Sequence, residues 1–214
     1  RPVHYDISVV PDAKALTFTG EAGIDLELYA PSARLTLNAL DLTFAGASLT
    51  GADGKAIPLT VATDAAAQTA SFTAAEPLAP GKYRLTASYT GTINTQANGL
   101  FALDYPDKAT GNEVRGLFTQ FEAPDARRFV PSFDEPSYKP TFILSATVPE
   151  GDLAVSNMPV ASETRAQGGK KKVTFEISPK MSSYLLFFAT GNFERLAAKS
   201  ESGAEVGIVS PKGS

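Results

Sequence analysis

Gln120 and Glu122 are the residues whose types and spacing best suit chemistry in this sequence. They stand two apart at the end of an alternating apolar run, Leu117 to Phe121, and alternate residues of a strand point to one face. Amide and carboxylate therefore project side by side. A carboxylate there can act as general acid or base, or as a fixed anion that receives a substrate's ammonium group while the amide carbonyl aligns the same ligand. Chemistry alone leaves a second reading open, in which Glu122 is an ion-pair partner of Arg127 or Arg128 inside a local network with Asp125, Asp134 and Glu135.

Counting removes several mechanisms. The sequence has one histidine, His4, and no cysteine, so neither a two-histidine zinc site nor a cysteine nucleophile can be assembled within this chain. A serine triad would need His4 as its base, yet His4 sits in a plain strand with no G-x-S-x-G nearby and reads as a structural or exposed imidazole. No phosphate loop is present. The net charge is -4, and the only basic run, Lys170 to Lys172, follows Gly168-Gly169 at a hairpin tip. That run reads as a solvated turn, and nucleic acid is not an expected partner. No apolar run approaches the roughly 20 residues of a membrane span. Arg1 to Tyr5 read as strand rather than as signal peptide, so any targeting segment is expected to have been removed. The absence of cysteine leaves the compartment undetermined, cytoplasmic or secreted.

The elements that must position Gln120 and Glu122 read as mainly β. Of the 214 residues 43% are hydrophobic, with 13 Phe and 7 Tyr, enough to fill a sandwich by alternate inward positions. Strands are expected at 3–10, 16–29, 34–39, 42–49, 56–61, 69–73 and 83–89. Pro11-Asp12 marks a turn, and Gly20 and Gly23 mark bulges or bends. After residues 119–136 come 142–148, 153–156, a hairpin over 160–177, and an apolar strand 184–189 expected to be central and buried on both faces. A last strand begins at Val206, and the end at Ser210 to Ser214 reads as cut from something longer. Between the two halves, residues 119–136 crowd charges, prolines and aromatics. Pro124, Pro131 and Pro136 leave room for one helical turn over Ala126 to Phe129, with Asp125 as its cap. The fold class is an antiparallel β-sandwich of two or more packed sheets with at most short helical turns, residues 1–214 forming one domain.

The run Thr119-Gln120-Phe121-Glu122, then Asp125-Ala126-Arg127-Arg128, then Pro131-Ser132-Phe133-Asp134-Glu135-Pro136 closely resembles the T-Q-F-E-x-x-D-A-R-R-x-F-P-C-F-D-E-P segment of the zinc-dependent aminopeptidase N family, the gluzincin exopeptidases. Pro2 and Tyr5 fit that family's opening P-x-x-Y strand. Asn98-Gly99-Leu100-Phe101 with Tyr105, Ser156-Asn157-Met158-Pro159, Met181-Ser182-Ser183-Tyr184-Leu185 and Gly191-Asn192-Phe193-Glu194 extend the match over nearly the whole chain. The resemblance implies a saddle-like N-terminal β domain resting on a thermolysin-like catalytic domain that this chain lacks. It implies that Glu122 anchors the α-ammonium of a peptide substrate, and that Gln120 lines the pocket for the first side chain. Asp125, Arg127, Arg128, Asp134 and Glu135 would hold the loop that presents Glu122. No catalytic or metal-binding residue is expected here, since zinc and its ligands would come from the catalytic part. The bond between Glu122 and Ala123 is expected to be cis, as in the family. Two departures are Ser132 for the usual Cys and Val130 for the usual aromatic. The face around Glu122, built to be covered, is expected to favour self-association of the isolated chain. A competing function of another class is a non-catalytic β-sandwich that binds or scaffolds.

Overall fold

Apolar residues at every second position decide which face of each strand is buried. Along the first strand Tyr5, Ile7 and Val9 point into the core while Asp6 and Ser8 point away, and Phe142, Leu144, Ala146 and Val148 repeat the pattern later. The computed structural model describes residues 1–108 and 110–213. Strands occupy 62% and helix 3%, as the sequence implied. Ser214, the last residue of the expected cut end, lies outside the described residues.

In chain order the strands are β1 (Pro2–Asp12), β2 (Thr17–Leu28), β3 (Ser32–Asn38), β4 (Leu42–Thr50), β5 (Ala56–Pro58) and β6 (Thr60–Asp64). They continue with β7 (Thr69–Leu78), β8 (Gly81–Thr92), β9 (Gly99–Pro106) and β10 (Glu113–Gln120), which leads into the focal loop. Beyond it lie β11 (Thr141–Pro149), β12 (Leu153–Ser156), β13 (Val160–Ala166), β14 (Lys170–Phe175), β15 (Phe188–Gly191), β16 (Phe193–Lys199) and β17 (Glu205–Pro211). An eight-stranded sheet has the order β13-β14-β11-β1-β2-β8-β4-β5, a three-stranded sheet β3-β7-β6, a four-stranded sheet β12-β15-β10-β9, and β16 pairs with β17. The pairings are antiparallel except for β1 beside β11. Phe44 of the largest sheet meets Phe72 of the three-stranded sheet edge-on at 5.3 Å, which marks the interior of the sandwich.

Four local expectations are corrected. First, β1 runs through Pro11, which lies beyond the last residue of β1 paired with β11 and so owes that neighbour no N–H. The turn comes after Asp12, whose carboxylate accepts from the N–H groups of Lys14 and Ala15 at 3.0 and 2.9 Å. Second, β2 pairs without a break at Gly20 and Gly23. These glycines make room for side chains of β8, since a Cβ on Gly20 would lie 2.5 Å from the Tyr89 ring and one on Gly23 would strike the Arg84 guanidinium. Third, residues 184–189 are not one strand. Ser183–Leu185 form a 3₁₀ turn, and Leu185 and Phe187 are 49% and 39% exposed. Neighbouring side chains take the backbone groups a ladder would use: the Asn157 amide donates to the Leu185 carbonyl and accepts from the Phe187 N–H, both at 2.8 Å, and Ser156 donates to the Phe187 carbonyl at 2.6 Å. The strand begins only at Phe188 and is buried throughout, inside the four-stranded sheet. Fourth, the helical turn after Pro124 is a 3₁₀ turn over Ala126–Arg128, and Asp125 makes no side-chain cap to it.

His4 is structural in the described residues. Its Nδ1 lies 2.7 Å from the Thr141 hydroxyl and its Nε2 lies 3.2 Å from Asp6. Asp6 also pairs with Arg84, which reaches Asp25 at 2.9 Å. Desolvation alone would push the Asp6 carboxyl up, but hydrogen bonds from Arg84 and His4 outweigh it and hold the group below its usual range.

Candidate functional site

Strand β10 reaches the focal loop with its two faces already sorted. Leu117, Thr119 and Phe121 are buried, whereas Gln120 and, two residues on, Glu122 are exposed. By the same alternation Gln120 shares a face with Phe118. That face carries an open apolar groove of about 600 Å³, lined by Leu103, Tyr105, Phe118, Phe187, Phe193 and Val209 among others. Gln120 is the last residue of the β9–β10 ladder and pairs with Gly99. Gly99 has φ of 65° and backs onto Arg128, whose Cβ would stand 2.9 Å from any added Cβ, so conformation and space both require glycine there.

Past Phe121 the chain turns sharply. The Glu122–Ala123 bond is cis, as expected, and the Asp125 N–H donates to the Phe121 carbonyl at 3.0 Å. The loop is held from below by its apolar residues. Phe121, Ala126, Phe129 and Val130 are buried. Phe129 packs against Phe121 at 5.4 Å and Phe18 at 5.6 Å, and its carbonyl accepts from the Tyr89 hydroxyl at 3.0 Å. Tyr5 contributes too, its hydroxyl accepting from the Phe133 N–H at 3.1 Å. Burial pushes the Tyr5 phenol well up, and the bond from Phe133 offsets little of that.

The charged residues form two separate braces. Arg127 donates to Asp134 at 3.1 Å and to the Gln68 amide oxygen at 3.0 Å, with Asp134 almost wholly buried. The other oxygen of Asp134 accepts from the Ser183 hydroxyl at 2.5 Å, and the Asp134 N–H donates to Asn38 at 3.2 Å. Arg128 pairs with Asp125 at 2.8 Å and with Asp41. Neither arginine forms an ion pair with Glu122. Among the described residues Glu122 and Gln120 make no side-chain hydrogen bond, and Glu135 is exposed and forms no ion pair, so it stands apart from the network. Four members of the braces were not legible locally: Asn38, Asp41, Gln68 and Ser183 come from distant turns and strands. The one local sign was Ser183 within Met181-Ser182-Ser183-Tyr184.

Ser132 shows what a departure from the family pattern does. Its backbone exchanges hydrogen bonds with Asn38 at 2.8 and 3.0 Å, but among the described residues its buried hydroxyl has no partner. Ser132→Cys replaces that hydroxyl by a group that tolerates apolar surroundings, and is expected to add about 1 kcal/mol of stability. For a chain of this size that is roughly 2–4 °C in Tm. A melting curve shifted downward would mean that the hydroxyl is satisfied after all.

A multi-sheet β domain with a braced, strand-end loop is the class these features define. The sequence matches the Peptidase M1 N-terminal domain over residues 1–185, and the chain belongs to that family. It is 35% identical over 212 residues to aminopeptidase N of Acetobacter pasteurianus, covering 99% of this chain and 58% of that protein. It is 36% identical over 215 residues to the puromycin-sensitive aminopeptidase of Caenorhabditis elegans, covering 100% of this chain and 23% of that protein. With the alanine/arginine aminopeptidase of Saccharomyces cerevisiae it shares 36% identity over 188 residues, 87% of this chain and 22% of that protein. The chain thus spans between about a quarter and three fifths of these relatives.

The zinc implied by the family resemblance finds no ligand set here. Among the described residues no group of three or more His, Cys, Asp or Glu is placed to hold a metal ion. His4 spends both ring nitrogens on Thr141 and Asp6. No helix among the described residues is long and apolar enough to cross a membrane.

Proposed function

We propose that this chain is the substrate-anchoring N-terminal domain of a zinc metalloaminopeptidase, which removes amino acids from the amino ends of peptides. The observation that carries this reading is that Gln120 ends β10 and Glu122 stands on the braced loop that follows, while among the described residues neither side chain makes a hydrogen bond or ion pair. A carboxylate fixed at the closed end of a cleft rewards ligands that present a positive charge there, which suits an exopeptidase that must recognise a free amino terminus. Gln120 would face the first side chain of the peptide. Zinc and the residues that act on the scissile bond belong, in this reading, to a catalytic domain outside this chain.

The groove beside Gln120 supports a covering partner of that kind. Leu103 in its wall is 54% exposed. We read residues 1–214 as one unit. The family match ends at residue 185, yet β15 lies inside the four-stranded sheet, and Phe193 packs on Phe118 and Tyr105 at 5.6 and 6.1 Å.

The test compares the isolated chain with the intact protein. The isolated chain is expected to hold no stoichiometric zinc and to hydrolyse no aminoacyl substrate, and to self-associate or bind an apolar dye through its open groove. The intact protein is expected to cleave free-amino peptides, to refuse their N-acetylated forms, and to lose activity to a chelator. An intact protein without such activity would leave a binding or scaffolding module as the better description.

A further inference from the structure

Thr119 immediately precedes Gln120 in β10 and is buried. The ladder between β10 and β15 covers only Leu117 opposite Thr190 and Phe118 opposite Ala189. At the next position the main chains no longer pair, and the Thr119 hydroxyl takes over. It accepts from the Phe188 N–H at 2.8 Å and donates to the Phe188 carbonyl at 3.2 Å. Phe188 is fully buried, so without this hydroxyl both of its main-chain groups would be orphaned away from water. One side chain thus does the work of two ladder bonds. On its other flank Thr119 stays in the β9 ladder opposite Leu100, with Gln120 opposite Gly99.

A side chain inserted between two strands sets a wider separation than direct pairing, which holds neighbours at roughly 4.8 Å. Strand β10 therefore leaves β15 at Thr119, one residue before Gln120 and three before Glu122. We propose that Thr119 is a positioning residue: its hydroxyl, bonded to both main-chain groups of Phe188, fixes where the end of β10 stands and so where Gln120 and Glu122 meet the substrate's amino end. This rests on the anchoring reading of Glu122. Valine has the shape of threonine without the hydroxyl, so Thr119→Val removes the spacer bonds and leaves the packing volume. Serine keeps the hydroxyl and loses only a methyl group.

The experiment uses the intact enzyme carrying Thr119→Val, Thr119→Ser or Glu122→Gln. Each is assayed with a free-amino peptide substrate and with two competitive inhibitors, an amino-acid analogue bearing a free amine and its counterpart with hydrogen in place of the amine. Thr119→Val is expected to lower kcat/KM by about tenfold to a hundredfold, as a misplacement of about 1 Å does. It is also expected to weaken the amine inhibitor similarly while leaving the deaminated one within about twofold. Thr119→Ser is expected to restore both within about threefold. A general loosening of the fold would weaken the two inhibitors alike. If Glu122→Gln abolishes the preference for the amine and Thr119→Val leaves it intact, the positioning role is wrong and the anchoring reading stands. If Glu122→Gln itself leaves the preference intact, the anchoring reading falls and this inference with it. Should Thr119→Val not fold, Thr119→Ala removes the same bonds with less bulk. If neither variant folds, the hydroxyl serves the whole sheet rather than the site, and the proposal is overturned.

Discussion

Glu122→Gln in the intact protein is expected to lower kcat/KM for free-amino peptides by roughly 30- to 1000-fold, the equivalent of about 2 to 4 kcal/mol for one desolvated charge-assisted contact. Stability is expected to move by less than about 1 kcal/mol. Both expectations follow from the same observations. Glu122 is exposed, forms no ion pair among the described residues, and stands on a loop whose arginines are committed elsewhere. Removing its charge therefore deprives the fold of no contact, while a bound ammonium loses its partner. Steady-state kinetics and melting curves on the same preparation read both quantities. A variant with near-normal kcat/KM and a Tm many degrees lower would show that the carboxylate serves the structure.

Arg127→Ala is expected to do the opposite. Asp134 has a side chain only 1% exposed and Arg127 one 16% exposed, and the guanidinium also holds Gln68. Truncating Arg127 leaves a buried carboxylate with Ser183 as its remaining side-chain donor. Removing one partner of a buried pair costs about 3–5 kcal/mol, which for a chain of this length lowers Tm by very roughly 6–20 °C. Arg128→Ala is the internal control. Its partners Asp41 and Asp125 have side chains 51% and 20% exposed against 1% for Asp134, so the carboxylates it leaves keep access to water and its melting shift is expected to be the smaller. Equal melting shifts for the two variants would show that the buried brace has no special weight.

How far the sequence disclosed this depended on whether the cause of a feature was local. Strands with clean alternation, such as 3–10 and 142–148, were legible because burial on one face leaves a period of two in the residues themselves. The apolar run 184–189 misled for the same reason: period and composition indicate burial, but they cannot show that Asn157 and Ser156, thirty residues away, occupy the backbone groups that a strand needs. Gly20 and Gly23 failed likewise, since their meaning lies in Tyr89 and Arg84 across the sheet. At the candidate site, the motif pointed to Gln120, Glu122 and the arginines as candidates. It could not give the partition of the charges, in which Arg127 turns to Asp134 and Gln68, Arg128 to Asp125 and Asp41, and Glu135 to neither. Those partners are chosen by topology rather than by neighbourhood in the chain.

The side-by-side, same-direction run of β1 and β11 has a consequence for the order of assembly. Antiparallel neighbours such as β1 and β2 are joined by a short turn and can form while the rest of the chain is still being made. The place beside β1 on its other edge must wait for β11, since the contact between His4 and Thr141 spans 137 residues. Closing so long a loop costs entropy before any pairing repays it. Until it closes, that edge of β1 stays open. The loop that carries Glu122 does not wait for that closure to reach Gln68, Asp41 and Asn38, which all precede it in the chain.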